Sequence, residues 1–168
     1  MKEKVIELLE KRGVKISDIA ELVFSLQRPY NDQLTLEQCF KEVEMVLAKR
    51  EVQHAILTGI ALDMLAEQQM LPQPLQDIIS NDYCLYGVDE ILALSITNVY
   101  GSIGLTNFGY LDKKKIGVLK RLNRKGNGEV HTFLDDLVAG LAAAASSRLA
   151  HGIYVAAGSE AHRDSKNE

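Results

Sequence analysis

Two adjacent carboxylates, Asp135 and Asp136, open the most apolar segment of the sequence, which runs from Leu137 to Ala157. Ala, Leu, Val, Ile and Gly dominate this segment, and a helix that is apolar on all sides belongs in a protein core. An unpaired carboxylate is costly to bury. The two aspartates therefore need solvent, a cation or a hydrogen-bond partner at the entrance to a buried helix.

The rest of the sequence predicts helices as well. Its three prolines and its apolar residues at helical rather than alternating spacing are typical of an all-α protein. With 168 residues, the chain fits one domain with a sizeable core. We expect a single-domain, compact helical bundle of about six to eight helices with a central apolar C-terminal helix. This domain should span residues 1–160, and a charged, disordered tail should follow over 161–168.

Local signals place the ends of the first three helices. Gly13 should end the first helix, because glycine readily adopts the left-handed conformation found after a helix C-terminus. Ser17 should cap the start of the second helix. Thr35, followed three residues later by Gln38, is a capping-box signature for the third. The helical pattern that continues from it leaves open whether one long helix or two helices pass through residues 49–51.

The second half of the chain contains a glycine-rich stretch between predicted helices. A helix should cover about residues 86–99 and carry an acidic pair in its first turn. The glycine-rich stretch 100–110 predicts a loop, which would either adopt positive φ values or bring its backbone close to a phosphate. Asp112 should then cap a helix over residues 113–123, and the apolar helix should begin near Thr132.

Composition and charge exclude several classes of protein. The net charge of −4 argues against a nucleic-acid partner, because phosphate contacts need a basic surface. Cys39 and Cys84 are isolated thiols without metal-ligand spacing, which suits a reducing cytoplasm. The charged, amphipathic start is unlike a signal peptide. Because Arg148 and His151 interrupt the longest apolar run, we expect no membrane span.

Acidic residues stand at three predicted helix starts. Asp89 and Glu90 form one pair, Asp135 and Asp136 form a second, and Asp112 lies between the pairs in the sequence. Each site can be explained as a cap that offsets the helix dipole. The dense apolar residues around both pairs favour a second interpretation, in which the carboxylates meet around a cation inside a helical bundle. Oxygen ligands of this kind suit Mg²⁺.

Basic residues nearby suit a phosphate-bearing ligand. The run Lys113–Lys115 follows Asp112 at a predicted helix start, where free amides also attract anions. A solvated basic face would explain the same residues. His131 precedes Asp135 by four residues and would share its helix face if the helix already includes it. It would then be a ligand or a partner of one, or else a capping or surface residue.

These elements together resemble the phosphatidylglycerophosphatase A family. Members carry an Asp-x-x-Lys element, then an Asp-Asp-x-x-Ala-Gly element, and an earlier Asp-Glu pair. Asp112 with Lys115 matches the first element, residues 135–140 match the second, and Asp89 with Glu90 matches the pair, in the same order and at similar spacing. Within the family, the chain is most similar to the soluble branch, whose members are similar to a low-temperature-requirement C protein.

The resemblance implies a Mg²⁺-dependent phosphatase that removes the terminal phosphate of phosphatidylglycerophosphate to give phosphatidylglycerol. It also implies a homo-oligomer, such as a tetramer. The expected site residues are the metal ligands Asp89, Glu90, Asp135 and Asp136, the catalytic residues Asp112, Lys115 and Asp136, and the phosphate contacts Lys115 and His131.

Two other functions fit the same residues. An all-α nucleotide pyrophosphatase also places helical carboxylates around Mg²⁺, and it would act on nucleotide triphosphates. A non-enzymatic helical oligomer would instead bind a partner or a lipid headgroup in cold adaptation, with the acidic pairs serving as caps. If the substrate is a lipid, seven basic residues from Lys113 to Lys125 would hold the protein at the inner face of an anionic membrane.

Overall fold

The computed structural model describes residues 1–124 and 128–164, with side chains described as far as residue 152. Over these residues every regular element is helical and no strand occurs, which confirms the all-α prediction. The α-helices are α1 (Lys2–Lys11), α2 (Ile16–Gln27), α3 (Leu36–Leu47), α4 (Arg50–Glu67), α5 (Leu75–Asn81), α6 (Val88–Thr97), α7 (Gly101–Lys114), α8 (Val118–Leu122) and α9 (Leu134–Asp164). Short 3₁₀ turns, Arg28–Tyr30 and Asn98–Tyr100, follow α2 and α6.

Helix α9 forms the centre of the molecule, as its apolar sequence predicts. Every residue from Thr132 to Ser147 is buried, and α2, α3, α4, α6, α7 and α8 all contact this helix. Its small residues let neighbouring helices approach closely, since a Cβ on Gly140 would lie 3.0 Å from the carbonyl oxygen of Ala93 in α6. Because burial begins before the first turn of α9, Asp135 and Asp136 lie inside the protein.

Most predicted boundaries of the early helices are confirmed. Gly13 follows α1 with a φ of +76°. The capping box starts α3, where Thr35 Oγ1 accepts from the Gln38 amide at 3.3 Å and Gln38 Oε1 accepts from the Thr35 amide at 2.9 Å. The open question at residues 49–51 is also answered. Lys49 is extended, with a ψ of 131°, so α3 and α4 are separate helices.

The second helix starts earlier than predicted. The sequence predicts Ser17 as its cap, but α2 begins at Ile16 and Ser17 lies within its first turn. Lys15 precedes the helix, and its backbone amide donates to the Asp18 carboxylate at 2.8 Å. Asp18 therefore makes the contact that stabilises this helix start. The core explains the earlier start, because Ile16 is buried and packs there as part of the helix.

The glycine-rich stretch 100–110 is mainly helical, so the predicted loop is wrong. It forms most of α7, and of its glycines Gly101 alone has a positive φ, +71°. Packing explains the difference. Helix α7 lies along α9, and a Cβ on Gly104 would lie 3.1 Å from the carbonyl oxygen of Thr97. Contact with the core outweighs the roughly 1 kcal/mol that each glycine costs in a helix interior.

Asp112 lies at the end of a helix, not at its start as predicted. It belongs to the last turn of α7, after which Lys115 adopts a left-handed conformation with a φ of +46°. The predicted helix over 113–123 is reduced to the short α8. Lys113 and Lys114 therefore lie at a helix C-terminus, where carbonyls attract cations, and the predicted attraction of an anion to free amides at this point is wrong.

One stretch of the described residues is long and apolar enough to cross a membrane by length and composition alone. This stretch is Val88–Lys114. Its most apolar 18-residue window has a mean hydropathy of 1.2, and 33% of that window is buried. It consists of α6 and α7 joined by a 3₁₀ turn, and both helices lie against α9. A core helix of a folded protein meets the same criterion, so this stretch is weak support for a membrane span.

Two predictions extend beyond the described part of the chain. The predicted disordered tail over 161–168 overlaps the end of α9, which extends to Asp164. Residues 165–168 lie outside the described residues, so the tail stays a prediction. Lys120 and Arg121 of the predicted basic segment lie in α8 and are exposed, whereas Lys125 lies outside the described residues.

Candidate active site

The start of α9 is held by a side chain from another helix. Asp63, on α4, accepts hydrogen bonds from the backbone amides of Phe133 and Leu134, at 3.1 Å to Oδ1 and 3.0 Å to Oδ2. Amides in this position are the unpaired donors that every helix start exposes. Asp63 therefore does most of the capping that would otherwise explain Asp135 and Asp136, although Asp135 Oδ1 also accepts from the backbone amide of Asp136 at 2.9 Å.

Asp63 is a fully buried acid whose hydrogen-bond partners are backbone amides. Its side chain has no solvent exposure, and this burial raises the pKa of its carboxyl to about 8, although the amides of Phe133 and Leu134 act in the opposite direction. The sequence does contain a signal that Asp63 is buried. Asp63 occupies an apolar position in the helical pattern of residues 52–65, where an acid needs a partner, but the sequence does not show which partner that is.

Lys115 brings three carboxylates together. Its ammonium Nζ lies 2.7 Å from Asp112 Oδ1, 2.8 Å from Asp135 Oδ2 and 3.4 Å from Asp136 Oδ1. We refer to these four residues as the Lys115 cluster. Asp112 and Lys115 come from the end of α7, and the two other aspartates come from the start of α9. The Asp-x-x-Lys and Asp-Asp elements of the sequence are therefore in direct contact.

The Lys115 cluster carries more negative than positive charge. Burial by itself would lower the pKa of Lys115, but the charge of Asp135 and hydrogen bonds to Asp112 and Asp135 outweigh it and raise the pKa. Burial raises the pKa of Asp136 to about 8, and the charge of Asp135 adds to this effect. Burial also raises the pKa of Asp135. Further positive charge would therefore stabilise the ionised cluster.

The first acidic pair is divided between the site and the surface. Asp89 is buried, and its Oδ1 has no hydrogen-bond partner among the described residues. Burial raises the pKa of Asp89, and the charges of Asp82 and Asp112 raise it further. The charge of Asp89 in turn raises the pKa of Asp136. Asp89 thus lies within electrostatic reach of the Lys115 cluster, whereas Glu90 is exposed.

The ligands that this site offers a metal are carboxylate oxygens. In the part of the chain that the structure describes, no group of three or more His, Cys, Asp or Glu side chains is placed to hold a metal ion. Lys115 Nζ is instead the cation that the carboxylates contact. The unpartnered buried Oδ1 of Asp89 is a ready oxygen ligand. The donor set of Asp89, Asp135 and Asp136 fits Mg²⁺ by its chemistry.

His131 lies before α9, in the segment that leads to Leu134. Arg12 Nη2 is 3.2 Å from His131 Nδ1, and because arginine can only donate, Nδ1 must be the unprotonated nitrogen. Burial lowers the pKa of His131, and the charge of Arg12 lowers it further. The neutral ring therefore carries its proton on Nε2, which lies 3.5 Å from Glu129 Oε2. His131 would meet a ligand as a neutral donor.

An ion pair fixes the segment before α9. Arg12 Nη1 and Nη2 donate to the two oxygens of Glu67 at 2.8 and 2.6 Å, and Nη2 also donates to the Val130 carbonyl at 2.6 Å. The Val130 amide donates back to Glu67 at 2.8 Å. Two-pronged, charge-assisted bonds of this kind hold geometry firmly. Glu67 and Val130 are separated from Arg12 by 55 and 118 residues in the sequence. Sequence spacing therefore contains no signal for these bonds.

The family of the chain follows from its similarity to known proteins. Residues 6–151 match the model of the family described as phosphatidylglycerophosphatase A. The chain is 62% identical over 151 residues to the uncharacterized protein YutG of Bacillus subtilis (strain 168), which covers 90% of this chain and 91% of YutG. It is also 62% identical over 145 residues to the uncharacterized protein YpjQ of the same organism, which covers 86% of this chain and 81% of YpjQ.

A solved structure has the same fold. The crystal structure of low temperature requirement C protein from Listeria monocytogenes superposes with a TM-score of 0.89 at 60% sequence identity, covering 91% of this chain and 96% of that chain. The family match spans most of the sequence and includes every residue of the Lys115 cluster. The chain belongs to the phosphatidylglycerophosphatase A family.

Proposed function

We propose that this protein is a Mg²⁺-dependent phosphatase that hydrolyses a phosphate monoester, with phosphatidylglycerophosphate as its substrate. The Lys115 cluster carries the proposal, because Lys115 pairs at 2.7 Å with Asp112 and at 2.8 Å with Asp135. Two sequence elements of the family thus meet at one point. Membership of the family supports phosphatase chemistry, and the excess of buried negative charge supports a requirement for a cation.

Lys115 is suited to bind the phosphoryl group. Its raised pKa keeps the ammonium charged at neutral pH, and a phosphate oxygen would take the place of one of its carboxylate partners. A positioned ammonium offsets the charge that develops on phosphoryl oxygens in the transition state. Asp112 is the most exposed of the three carboxylates, at 34%. Because water can reach it, Asp112 suits the role of general base or further ligand.

Asp89, Asp135 and Asp136 would hold the metal ion. Asp89 contributes an unpartnered buried oxygen, and the other two contribute a pair whose pKa values are raised by burial. Glu90 stays a ligand predicted from the resemblance, and its exposure makes it the weakest member of the set. Mg²⁺, when bound, supplies positive charge that polarises the phosphoryl oxygens.

Phosphate release from short-chain phosphatidylglycerophosphate, with and without Mg²⁺, tests this function. We expect release that depends on Mg²⁺ and stops on chelation. Protein carrying Asp136→Asn, prepared in the same way, controls for contaminating phosphatases. Turnover of nucleoside triphosphates instead of the lipid would indicate a pyrophosphatase. No turnover, together with no thermal shift on adding Mg²⁺, would indicate a non-enzymatic protein, because a bound ion stabilises the native state.

A lipid substrate also implies contact with a membrane. Lys113 and Lys114 are exposed at the end of α7, next to Asp112, and Lys120 is exposed in α8. Each such charge near an anionic leaflet contributes about 1 kcal/mol. We therefore propose that the protein is cytoplasmic and makes peripheral contact with the inner face of the membrane, and, from the family resemblance, that it is a homo-oligomer. Salt-sensitive sedimentation with anionic vesicles and sedimentation velocity test these two features.

A further inference from the structure

A cleft with a volume of about 530 Å³ lies far from the Lys115 cluster. It is formed by the end of α2 and the 3₁₀ turn after it, by the first half of α7 and by Ala150 of α9. We call it the amide cleft. Asp136 and Ala150 lie about four turns apart on the same continuous helix, a distance of about 20 Å. The amide cleft is therefore separate from the candidate active site, and its size is typical of small-molecule sites.

Two carboxamide groups that line the amide cleft have unused hydrogen-bonding capacity. Gln27 is only 5% exposed, and its side chain makes no hydrogen bond to any described residue. The Nδ2 atom of Asn107 is buried and also has no partner within the described part of the chain. Gln53 is buried to the same degree, but its amide donates to the Leu47 carbonyl at 2.7 Å. Because unpaired buried amides are unfavourable, the amides in the cleft are available to a ligand.

The remaining surface of the amide cleft is apolar or aromatic. Ile103 and Ala150 contribute aliphatic groups, and Tyr30 lies at the edge with 83% of its surface exposed. An exposed aromatic ring can stack on a flat ligand. The described residues that line this cleft include no charged side chain. A charged ligand group would therefore lose water without gaining a counter-charge, and an aliphatic ligand would leave the two amides unpaired.

A planar, uncharged ring with a polar edge satisfies both conditions. A carboxamide presents a hydrogen-bond donor and an acceptor side by side. The edge of adenine presents the complementary pair, an amino group beside a ring nitrogen, which is why glutamine and asparagine pair with this base in two-bond contacts. The faces of the base would contact Ile103 and stack on Tyr30.

We propose that the amide cleft binds an adenine base, with Gln27 and Asn107 at the polar edge of the base and Tyr30 against its face. This site is distinct from the proposed phosphatase site and does not depend on that function. A free nucleoside and a nucleotide share this base.

Calorimetric titration of the whole chain with adenosine tests the proposal. We expect one adenosine to bind per chain. Purine riboside has the same rings without the amino group, so it should bind about tenfold more weakly, which corresponds to one net hydrogen bond. Equal affinities for the two ligands, or no binding of adenosine, would overturn the proposal. Because the titration contains neither Mg²⁺ nor a phosphate ester, its failure is distinguishable from failure of the phosphatase function.

Replacing the buried amide tests the role of Gln27. Gln27→Leu should weaken adenosine binding about tenfold and remove the preference over purine riboside. It should keep or raise the melting temperature, since an unpaired polar group leaves the interior. Gln53→Leu is the matched control, which should lower the melting temperature and leave adenosine binding unchanged. If both variants lost the same stability, the amide of Gln27 would already be paired and the proposal would be wrong.

Two exposed tyrosines of α7 and its surroundings test stacking without a risk to folding. Tyr30→Ala should weaken adenosine binding about tenfold. Tyr110→Ala, at the opposite end of α7 and also exposed, should leave binding unchanged. No effect of Tyr30→Ala, or equal effects of both variants, would contradict the site.

Titration with AMP distinguishes the two sources of the base. Tighter binding of AMP than of adenosine assigns the base to a nucleotide, whereas equal or weaker binding assigns it to a free nucleoside. Both results support the site once the preference over purine riboside is established.

Discussion

The two acidic pairs share a sequence pattern but not an environment. Each stands in the first turn of a helix within an apolar stretch. Asp135 and Asp136 are both buried, whereas in the first pair Asp89 is buried and Glu90 is exposed. Helix α6 has one side against α9 and another in solvent, where Ile91 is 67% exposed. The burial of the helix, not its sequence, decides how many carboxylates enter the site.

The helix starts also differ in how their amides are satisfied. Helix α9 receives a cap from Asp63 of α4. Helix α6 follows Gly87, which has a φ of +70° and no side-chain cap. With the cap provided from outside, the carboxylates of Asp135 and Asp136 can contact Lys115. A buried acid in one helix therefore leaves carboxylate oxygens of another helix available to contact a lysine.

The largest expected effect comes from Asp136→Asn. It replaces a buried carboxylate by an amide of the same size, so phosphatase activity should fall on the order of 10³-fold as a charged group at the phosphoryl site is lost. Thermal stability should stay the same or rise, because repulsion with Asp135 is removed. Phosphate release and circular dichroism melting measure the two effects. Retained activity would remove Asp136 from the site.

Lys115→Met should be the most destabilising change. Three carboxylates lose their cation, which should lower the free energy of unfolding by about 3–5 kcal/mol. Mg²⁺ should restore more stability to this variant than it adds to the wild type, because the ion replaces the missing charge. Urea denaturation with and without Mg²⁺ provides the measurement. Lys41→Met is the matched control, since the exposed Lys41–Glu37 pair at 2.7 Å should contribute little.

Asp63→Asn tests the cap and its pH dependence. Burial raises the folded-state pKa of Asp63 to about 8 from 3.8, so its stabilising contribution is fully present below pH 3.8 and is lost as the pH rises through 8. Asparagine should remove this slope and cost about 1 kcal/mol of cap stability. Urea denaturation of both proteins at several pH values between 5 and 9 measures the slope and the cap stability.

Gln53→Ala is the control for Asp63→Asn. Gln53 is buried and donates to the Leu47 carbonyl at 2.7 Å, but it does not titrate. The stability lost in Gln53→Ala should be the same at every pH. If the difference between Asp63→Asn and the wild type were equally constant, the ionisation of Asp63 would have no part in the stability of α9.

The smallest expected effect comes from Glu90→Gln. Its side chain is exposed, so activity should change by less than about twofold, as for most surface substitutions. Asp89→Asn, one residue away in the same helix turn, should lower activity far more because it removes the unpartnered buried oxygen. Kinetics at limiting Mg²⁺ compares the two variants. Equal losses would place both members of the pair at the metal, as the resemblance implies.

Local sequence signals correctly predicted those helix boundaries that depend only on residues close by in the sequence. The Thr35 capping box and the stop at Gly13 depend on contacts within four residues, and both are present. The central position of α9 follows from its composition, because a helix that is apolar on every side has no polar face to expose to solvent. The resemblance assigned Asp112, Lys115 and the α9 aspartates to one site, but it did not predict that Lys115 pairs directly with these carboxylates.

Tertiary packing decided the rest. Contact with α9 makes the glycine-rich stretch 100–110 mainly helical, which moves Asp112 from a helix start to a helix end. Asp63 and the Arg12–Glu67 pair act across long sequence distances, where no periodicity links the partners. The sequence by itself therefore determined which residues must leave water and which carry charge. Only the fold decided which charges meet, because the cost of burying a carboxylate depends on the partners that other helices bring to it.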